Sequence, residues 1–395
     1  MKKKIELLAP AGDLEKLYFA CLYGADAVFV GSKEFSLRSR ASNFTIKDLE
    51  EGAKICHYFG AKLYVTLNIV AHNNDLLGLI DYIQDIEKAQ VDAVICSSYA
   101  IIDLVRKHTN LDIHISTQQS VTNSLGVKFY EDLGATRVVL ARELSIEEIA
   151  NVKKNTNMEL EVFIHGGMCS SYSGRCMLSN HMTNRDANRG GCAHSCRWNY
   201  RLYNQNGLIS DREMFQFASK DLMSIRQIEK LIPICDSLKI EGRMKSLHYI
   251  ATVVKTYRDL IDEIYEKGNV LDYEYYEEEI KKCENRQFAS GFLDLKDFKD
   301  IQLYNMRSDK ANQNFVGLVL DYDKETMIAK IDVRNYFDAN AKLEIFSPKV
   351  KNRLFEINEI IDENGDSVDA ARHPRSIVFI KIPFEVKKND ILRLA

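Results

Sequence analysis

The chain has 395 residues, 46% apolar and 28% charged, with a formal net charge of −4. That length suits two or three domains, and the balance is that of a folded globular protein, which excludes a disordered chain. Mild acidity excludes recruitment of nucleic acid or membrane by bulk charge, and no apolar run reaches the roughly 18 residues that span a bilayer.

The opening MKKKIELLAP has a basic start but only a strand-length apolar stretch, so it is not read as a signal peptide. From residue 4 to about 265, short β-branched runs alternate with helical patterns. Strands are expected at 4–10, 27–32, 62–68, 93–98, 112–118, 137–143, 160–166 and 237–243. Segments between them, such as TIKDLEEGAKICHYFG and SIEEIANVKKN, space apolar residues three and four apart, as amphipathic helices do. Strand, helix, strand implies parallel pairing with right-handed crossovers. Eight such units fit a closed, TIM-like (β/α)8 barrel better than an open doubly wound sheet, and no GxGxxG follows the first strand. The strands finish on small or polar groups, including Asn68, Gln118, Arg142 with Glu143, His165 with Gly166, and Glu241 with Arg243. In a barrel these ends meet at the C-terminal face, where active sites are built. A long amphipathic helix is expected over 246–268, and the acidic run YEYYEEEI after it reads as a solvated face. From about residue 313 the period drops to two, and six short strands divided by turn residues predict a small antiparallel β-barrel or sandwich, the barrel being favoured. The expected domains are therefore 1–310 and 311–395.

Nine cysteines, an odd number without a signal peptide, argue against a disulfide framework and for a reducing, cytoplasmic location. Four of them, Cys169, Cys176, Cys192 and Cys196, fall in a loop at 166–201 after the seventh strand, spaced C-x6-C-x15-C-x3-C. Four thiolates suit tetrahedral zinc or an iron–sulfur cluster. Structural zinc usually shows two short knuckles and only one spacing here is that short, so the cluster is favoured over zinc, with buried or redox cysteines third. The same loop carries Arg175, Arg185, Arg189, Arg197 and Arg201 against one acid, Asp186, with Trp198, Tyr172 and Tyr200 among them. Guanidinium groups among aromatic planes suit phosphate contact and base stacking; the alternative is that they pair with nearby carboxylates or offset a cluster's charge. No HExxH, GxSxG, Walker A or EF-hand loop occurs. A cysteine peptidase would need one thiolate beside a histidine (His165, His181 or His194), and clustered ligands would consume that nucleophile.

The run ELEVFIHGGMCSSYSGRCMLSNHM (159–182) resembles the signature of the collagenase-like peptidase superfamily, matching at Glu161, Phe163, Gly166, Met168, Cys169, Gly174, Cys176, Leu178 and Ser179. Gly167 departs from the usual Ser or Ala. LLAPAGDLEKL, STQQSVTN, RDANRGGCAHSCRW and SLKIEGRMKS extend the resemblance over essentially the whole chain. Within that superfamily the chain is similar to the tRNA 5-hydroxyuridine synthesis proteins. The resemblance implies prephenate-dependent 5-hydroxylation of a wobble uridine in tRNA, with a 4Fe–4S cluster on four cysteines. Carried over by motif, the ligands are Cys169, Cys176, Cys192 and Cys196, with Cys235 as substitute for the fourth. Arg142, Arg243 or Arg38 would offer a fork to prephenate, a dicarboxylate. Glu143, His165 and Glu241 complete the catalytic candidates, and Arg185, Arg189, Arg197, Trp198 and Arg201 are expected to hold RNA, helped by the small β-domain. The rival reading is a collagenase-like cysteine peptidase using Cys169. A third is a cluster-bearing scaffold acting with a paralogous partner chain or as a homodimer.

Overall fold

In the computed structural model, residues 4–32, 36, 44–209, 215–284, 286–294, 298–303 and 314–395 are described. The chain forms two compact units, Met1–Glu277 with Asn285–Asp309, and Glu278–Glu284 with Lys310–Ala395.

The first unit is the expected barrel. Its strands are β1 (Glu6–Pro10), β2 (Ala27–Gly31), β3 (Lys62–Leu67), β4 (Ala93–Cys96), β5 (Asp112–Ile115), β6 (Arg137–Val139), β7 (Glu159–Gly167) and β8 (Ser237–Ile240). Each pairs in parallel with the next, and β8 pairs with both β7 and β1, which closes the ring. Helices cover the outside. Two begin with reciprocal caps: Thr45 accepts from the Asp48 amide at 3.2 Å while Asp48 accepts from the Thr45 amide at 2.9 Å, and Ser145 with Glu148 repeats this. Leu49, Ala53 and Cys56 then form the buried stripe that the spacing predicts. The expected long helix runs Leu247–Lys267, and every residue from Leu247 to Tyr257 is buried, so its first half is sheathed by protein on all sides.

Inward-facing residues form two layers. Leu8, Ala27, Phe29, Tyr64, Ala93 and Ile95 make an apolar cluster. At the N-terminal foot the filling is ionic. Arg137 on β6 reaches Glu159 at 2.7 Å, Glu161 at 3.2 Å and Glu6 at 2.5 Å, and Lys239 on β8 reaches Glu161 at 2.7 Å. Burial alone would push the Glu6 carboxyl up, but the guanidinium of Arg137 and hydrogen bonds from Arg137, Tyr64 and Ser237 outweigh it and hold Glu6 below the usual range.

The second unit is an antiparallel half-barrel. Its strands are β9 (Phe315–Asp323), β10 (Ile328–Val333), β11 (Lys342–Phe346), β12 (Arg353–Glu356), β13 (Ile360–Asp362), β14 (Ser367–Val368), β15 (Ile377–Lys381) and β16 (Ile391–Leu394). They are ordered β12-β11-β16-β9-β10-β15-β13-β14. In a flat sheet β12 and β13 would stand about 29 Å apart, six strand spacings. The link from Glu356 to Ile360 spans at most about 14 Å, so the sheet must curl. Val319, Ile331, Leu343, Ile345, Ile380 and Leu392 fill the hollow.

One expectation is corrected here. The acidic stretch is not simply a solvated face, because Glu279 is buried against Arg393 at 2.8 Å, and Lys282 bridges Glu279 and Glu344. Burial raises the Glu279 carboxyl, and the charge of Arg393 with hydrogen bonds from Lys282 and Arg393 brings it below its ordinary value.

Candidate active site

At the C-terminal end of the barrel the chain leaves β7 at Gly167 and returns as a short strand, Asp221–Met223, antiparallel to β7, with Asp221 opposite Gly167. The described residues between them, 168–209 and 215–220, form an excursion over the barrel mouth. It turns away at Gly166 (φ +102°), where a Cβ would stand 2.2 Å from the Glu241 carbonyl oxygen, so only glycine fits. Three barrel loops hold the excursion. After β6, Glu143 accepts from the Ser173 amide at 2.7 Å and its hydroxyl at 2.5 Å. After β5, Gln118 and Gln119 accept from Arg175 at 2.5 and 3.1 Å. After β3, Val70 donates to the Asn188 carbonyl at 3.0 Å, and Arg189 clasps both oxygens of Asp75 at 2.7 Å. Glu143 and Arg189, expected as a catalytic residue and an RNA contact, are thus occupied in holding the loop.

Within the excursion, side chains tie two of the cysteine-bearing segments together. Asn188 exchanges hydrogen bonds with the Cys176 backbone (3.3 and 3.1 Å), and the Ser179 hydroxyl accepts from the Ala193 amide at 3.0 Å. These contacts tie the segment of Cys176 to that of Cys192. Gly191 lies so close to Asp186 that a Cβ would meet its carbonyl oxygen at 2.7 Å. Cys192 is exposed, and Cys169, Cys176 and Cys196 are partly so. Burial raises the Cys196 thiol; Ser170 and Arg197 pull it down, and the charges of Cys169 and Cys192 push it up. In kind the donors suit iron or zinc. In position, no three His, Cys, Asp or Glu groups among the described residues are placed to hold an ion.

Cys235 is not a substitute ligand. It precedes β8, and Asp236 beside it bonds to Leu160 at the start of β7, so Cys235 belongs to the foot, roughly 20 Å of strand from the loop. Its thiol donates to the Leu231 carbonyl at 3.1 Å and is held protonated by burial and by Asp236.

Around the mouth, Arg142 donates to the Gly167 carbonyl at 2.8 Å and lies 3.9 Å over the Phe163 ring. Arg243, 4% exposed, donates to Ser36 at 2.9 Å and Thr66 at 3.2 Å, a polar cradle not expected from the sequence. Glu241 borders it, partly exposed, with its carbonyl taking the Tyr249 hydroxyl at 2.9 Å. Arg38 lies outside the described residues. Asp221 and Arg286, also unforeseen, form a buried pair beneath the excursion's return. Arg286 comes within 3.2 Å of where a Gly167 Cβ would be, which fits the absence of Ser or Ala there.

His165 is built into the wall: it packs among Tyr249, Tyr257 and Phe288, with Nδ1 3.3 Å from the Tyr257 hydroxyl. Burial, helped by the Lys245 ammonium, pushes its pKa down to about 3. The unfolded chain therefore takes up this proton first. Stability is fully present above pH ~6.5 and falls by up to about 1.4 kcal/mol per unit as pH drops from there toward 3. Urea unfolding at several pH values checks this: His165→Asn should flatten the slope, and an unchanged slope would refute it.

Among the RNA candidates, Arg201 and Trp198 are exposed, the indole by 41%, while Arg185 and Arg197 are partly buried. Cys169 makes no hydrogen bond to a histidine among the hydrogen bonds of the described residues. No helix among the described residues is long and apolar enough to cross a membrane.

The profile of peptidase family U32 matches residues 12–302, and that of the family's C-terminal domain matches 311–393. The chain belongs to peptidase family U32. Across that family it is 46% identical to "tRNA hydroxylation protein P1" of Bacillus subtilis (strain 168), covering 99% of this chain and 95% of that one. It is 37% identical to a 23S rRNA 5-hydroxycytidine synthase of Escherichia coli (strain K12), over 68% of this chain and 41% of that one. It is 34% identical to a "Collagenase" of Porphyromonas gingivalis, over 73% of each chain. U32 membership thus brings relatives named for RNA hydroxylation and for proteolysis.

Proposed function

We propose that this chain is an RNA-modifying enzyme that hydroxylates C5 of the wobble uridine of tRNA, with prephenate as required metabolite and a 4Fe–4S cluster on Cys169, Cys176, Cys192 and Cys196. The observation that carries the reading is that one excursion brings thiols, guanidinium groups and exposed aromatic rings together over a barrel mouth, where a peptidase would need a cysteine–histidine pair. The full-length likeness to a tRNA hydroxylation protein supports it. A cluster bound there supplies one-electron redox chemistry. The protein's own groups do the rest. Arg142 and Arg243 set positive charge at the mouth, suited to the two carboxylates of prephenate. Arg185, Arg197 and Arg201 meet phosphates, Trp198 stacks on a base, and the target base swings out of its stack into the mouth.

Mass spectrometry of tRNA nucleosides tests this. A strain lacking the gene should lose 5-hydroxyuridine and its derivatives and regain them with the gene restored, and blocking prephenate synthesis should copy the loss. An unchanged nucleoside profile would overturn the reading.

A further inference from the structure

Exposed apolar side chains are concentrated on the excursion. Of 25 large apolar residues exposed among the described residues, nine lie between Tyr172 and Phe217. Four of the nine sit on a single hairpin, Tyr203–Asn204 paired with Gly207–Leu208 across the loop Gln205–Asn206. Tyr203 (62% exposed) is directly opposite Leu208 (47%), so both project from one face. One position further out, the Ile209 amide donates to the Leu202 carbonyl at 2.9 Å, which pairs Leu202 (45%) with Ile209 (55%) on the other face. The hairpin is therefore a thin blade, apolar on both sides, with a polar tip where Asn204 caps the Asn206 amide at 2.8 Å.

Water is a poor environment for such a blade. A lone two-stranded hairpin is marginal, and apolar pairs on both faces give it no side to turn toward solvent. Its root carries the exposed cation Arg201, three residues after the exposed Trp198; elsewhere on the excursion Arg189 is neutralised by Asp75, so the positive charge offered at the root is that of Arg201. An apolar wedge rooted in a cation complements a polyanion whose flat apolar rings can be parted, and a basic root disfavours a second apolar protein surface.

We infer that this hairpin is inserted between unstacked nucleotides of a single-stranded RNA loop. One base rests on Tyr203 with Leu208, its neighbour rests on Leu202 with Ile209, and Arg201 meets the phosphate between them. The wedge holds the loop open so that the next base can enter the barrel mouth. This rests on the RNA reading above and assigns a second grip, distinct from the cysteine segment.

The test uses the full-length iron-loaded chain and unmodified tRNA. Tyr203→Ala with Leu208→Ala should raise KM for tRNA roughly tenfold or more, with kcat and iron content unchanged. Tyr203→Trp should keep wild-type behaviour, which excludes mere misfolding. Binding to the anticodon stem without its loop should be equally weak for wild type and double variant. Equal KM for wild type and double variant would overturn the wedge while leaving the RNA reading intact; wild type that does not bind tRNA at all would remove both. Loss of a self-association or of a bound protein, with tRNA affinity intact, would assign the hairpin to a protein contact and overturn the inference.

Discussion

Replacing Glu161 by alanine should destabilise the barrel by about 3–5 kcal/mol, the cost of leaving a buried counter-charge unpaired. Glu161 is fully buried and carries two cations, Lys239 at 2.7 Å and Arg137 at 3.2 Å. Without it the Lys239 ammonium would keep the rings of Phe29 (4.4 Å) and Phe163 (5.4 Å), a desolvated cation–π contact worth about 2 kcal/mol, less than a buried counter-ion. Arg137 would still have Glu6 and Glu159, so the loss concentrates at Lys239. Urea unfolding should show a lower midpoint at unchanged m. Glu161→Leu combined with Lys239→Met should recover most of the loss, because a matched apolar pair removes both desolvation costs. A single-variant effect below about 1 kcal/mol would mean that the foot is wet enough to screen the charge.

The second large effect concerns the thiols. In anaerobically purified protein, Cys169→Ser, Cys192→Ser and Cys196→Ser should each abolish iron retention and lower tRNA hydroxylation by more than the roughly 10–100-fold typical of outer-shell partners. Cys176→Ser should do the same. Cys235→Ser should leave iron and activity unchanged, because that thiol is spent on the Leu231 carbonyl at the other end of the barrel. Iron and visible absorbance per chain give the readout. Colourless wild type with one zinc would overturn the cluster, and iron lost in Cys235→Ser would overturn the ligand set.

The eight strands were legible because buried parallel strands are short β-branched runs and their exits are polar. Cys235 was misread as a substitute ligand, although in a parallel barrel a residue just before a strand lies at the foot, away from a loop that follows β7. Glu161 was not legible. It stood inside a recognisable motif, but an inward charge on a strand looks like ordinary alternation until β6 and β8 bring Arg137 and Lys239 around it. The same holds for Arg189, whose partner Asp75 is 114 residues away. A basic residue in a basic loop reads as an RNA contact until a distant carboxylate takes it. Glu279 sat in a run of acids, and only the strand carrying Arg393 distinguished it from its solvated neighbours.

The excursion over the mouth begins at Gly167 and ends at Asp221, and these two residues face each other across one strand pair. A segment whose ends already touch can grow, shrink or be exchanged without moving the barrel. Loop closure grows only logarithmically, about 0.6 kcal/mol for each doubling of length. The barrel wall and the segment above it can therefore vary separately as long as the contacts from Glu143, Gln118, Gln119 and Asp75 are kept. A graft of 168–220 between members of this family is the direct way to ask which part decides whether a given barrel acts on RNA or on peptide.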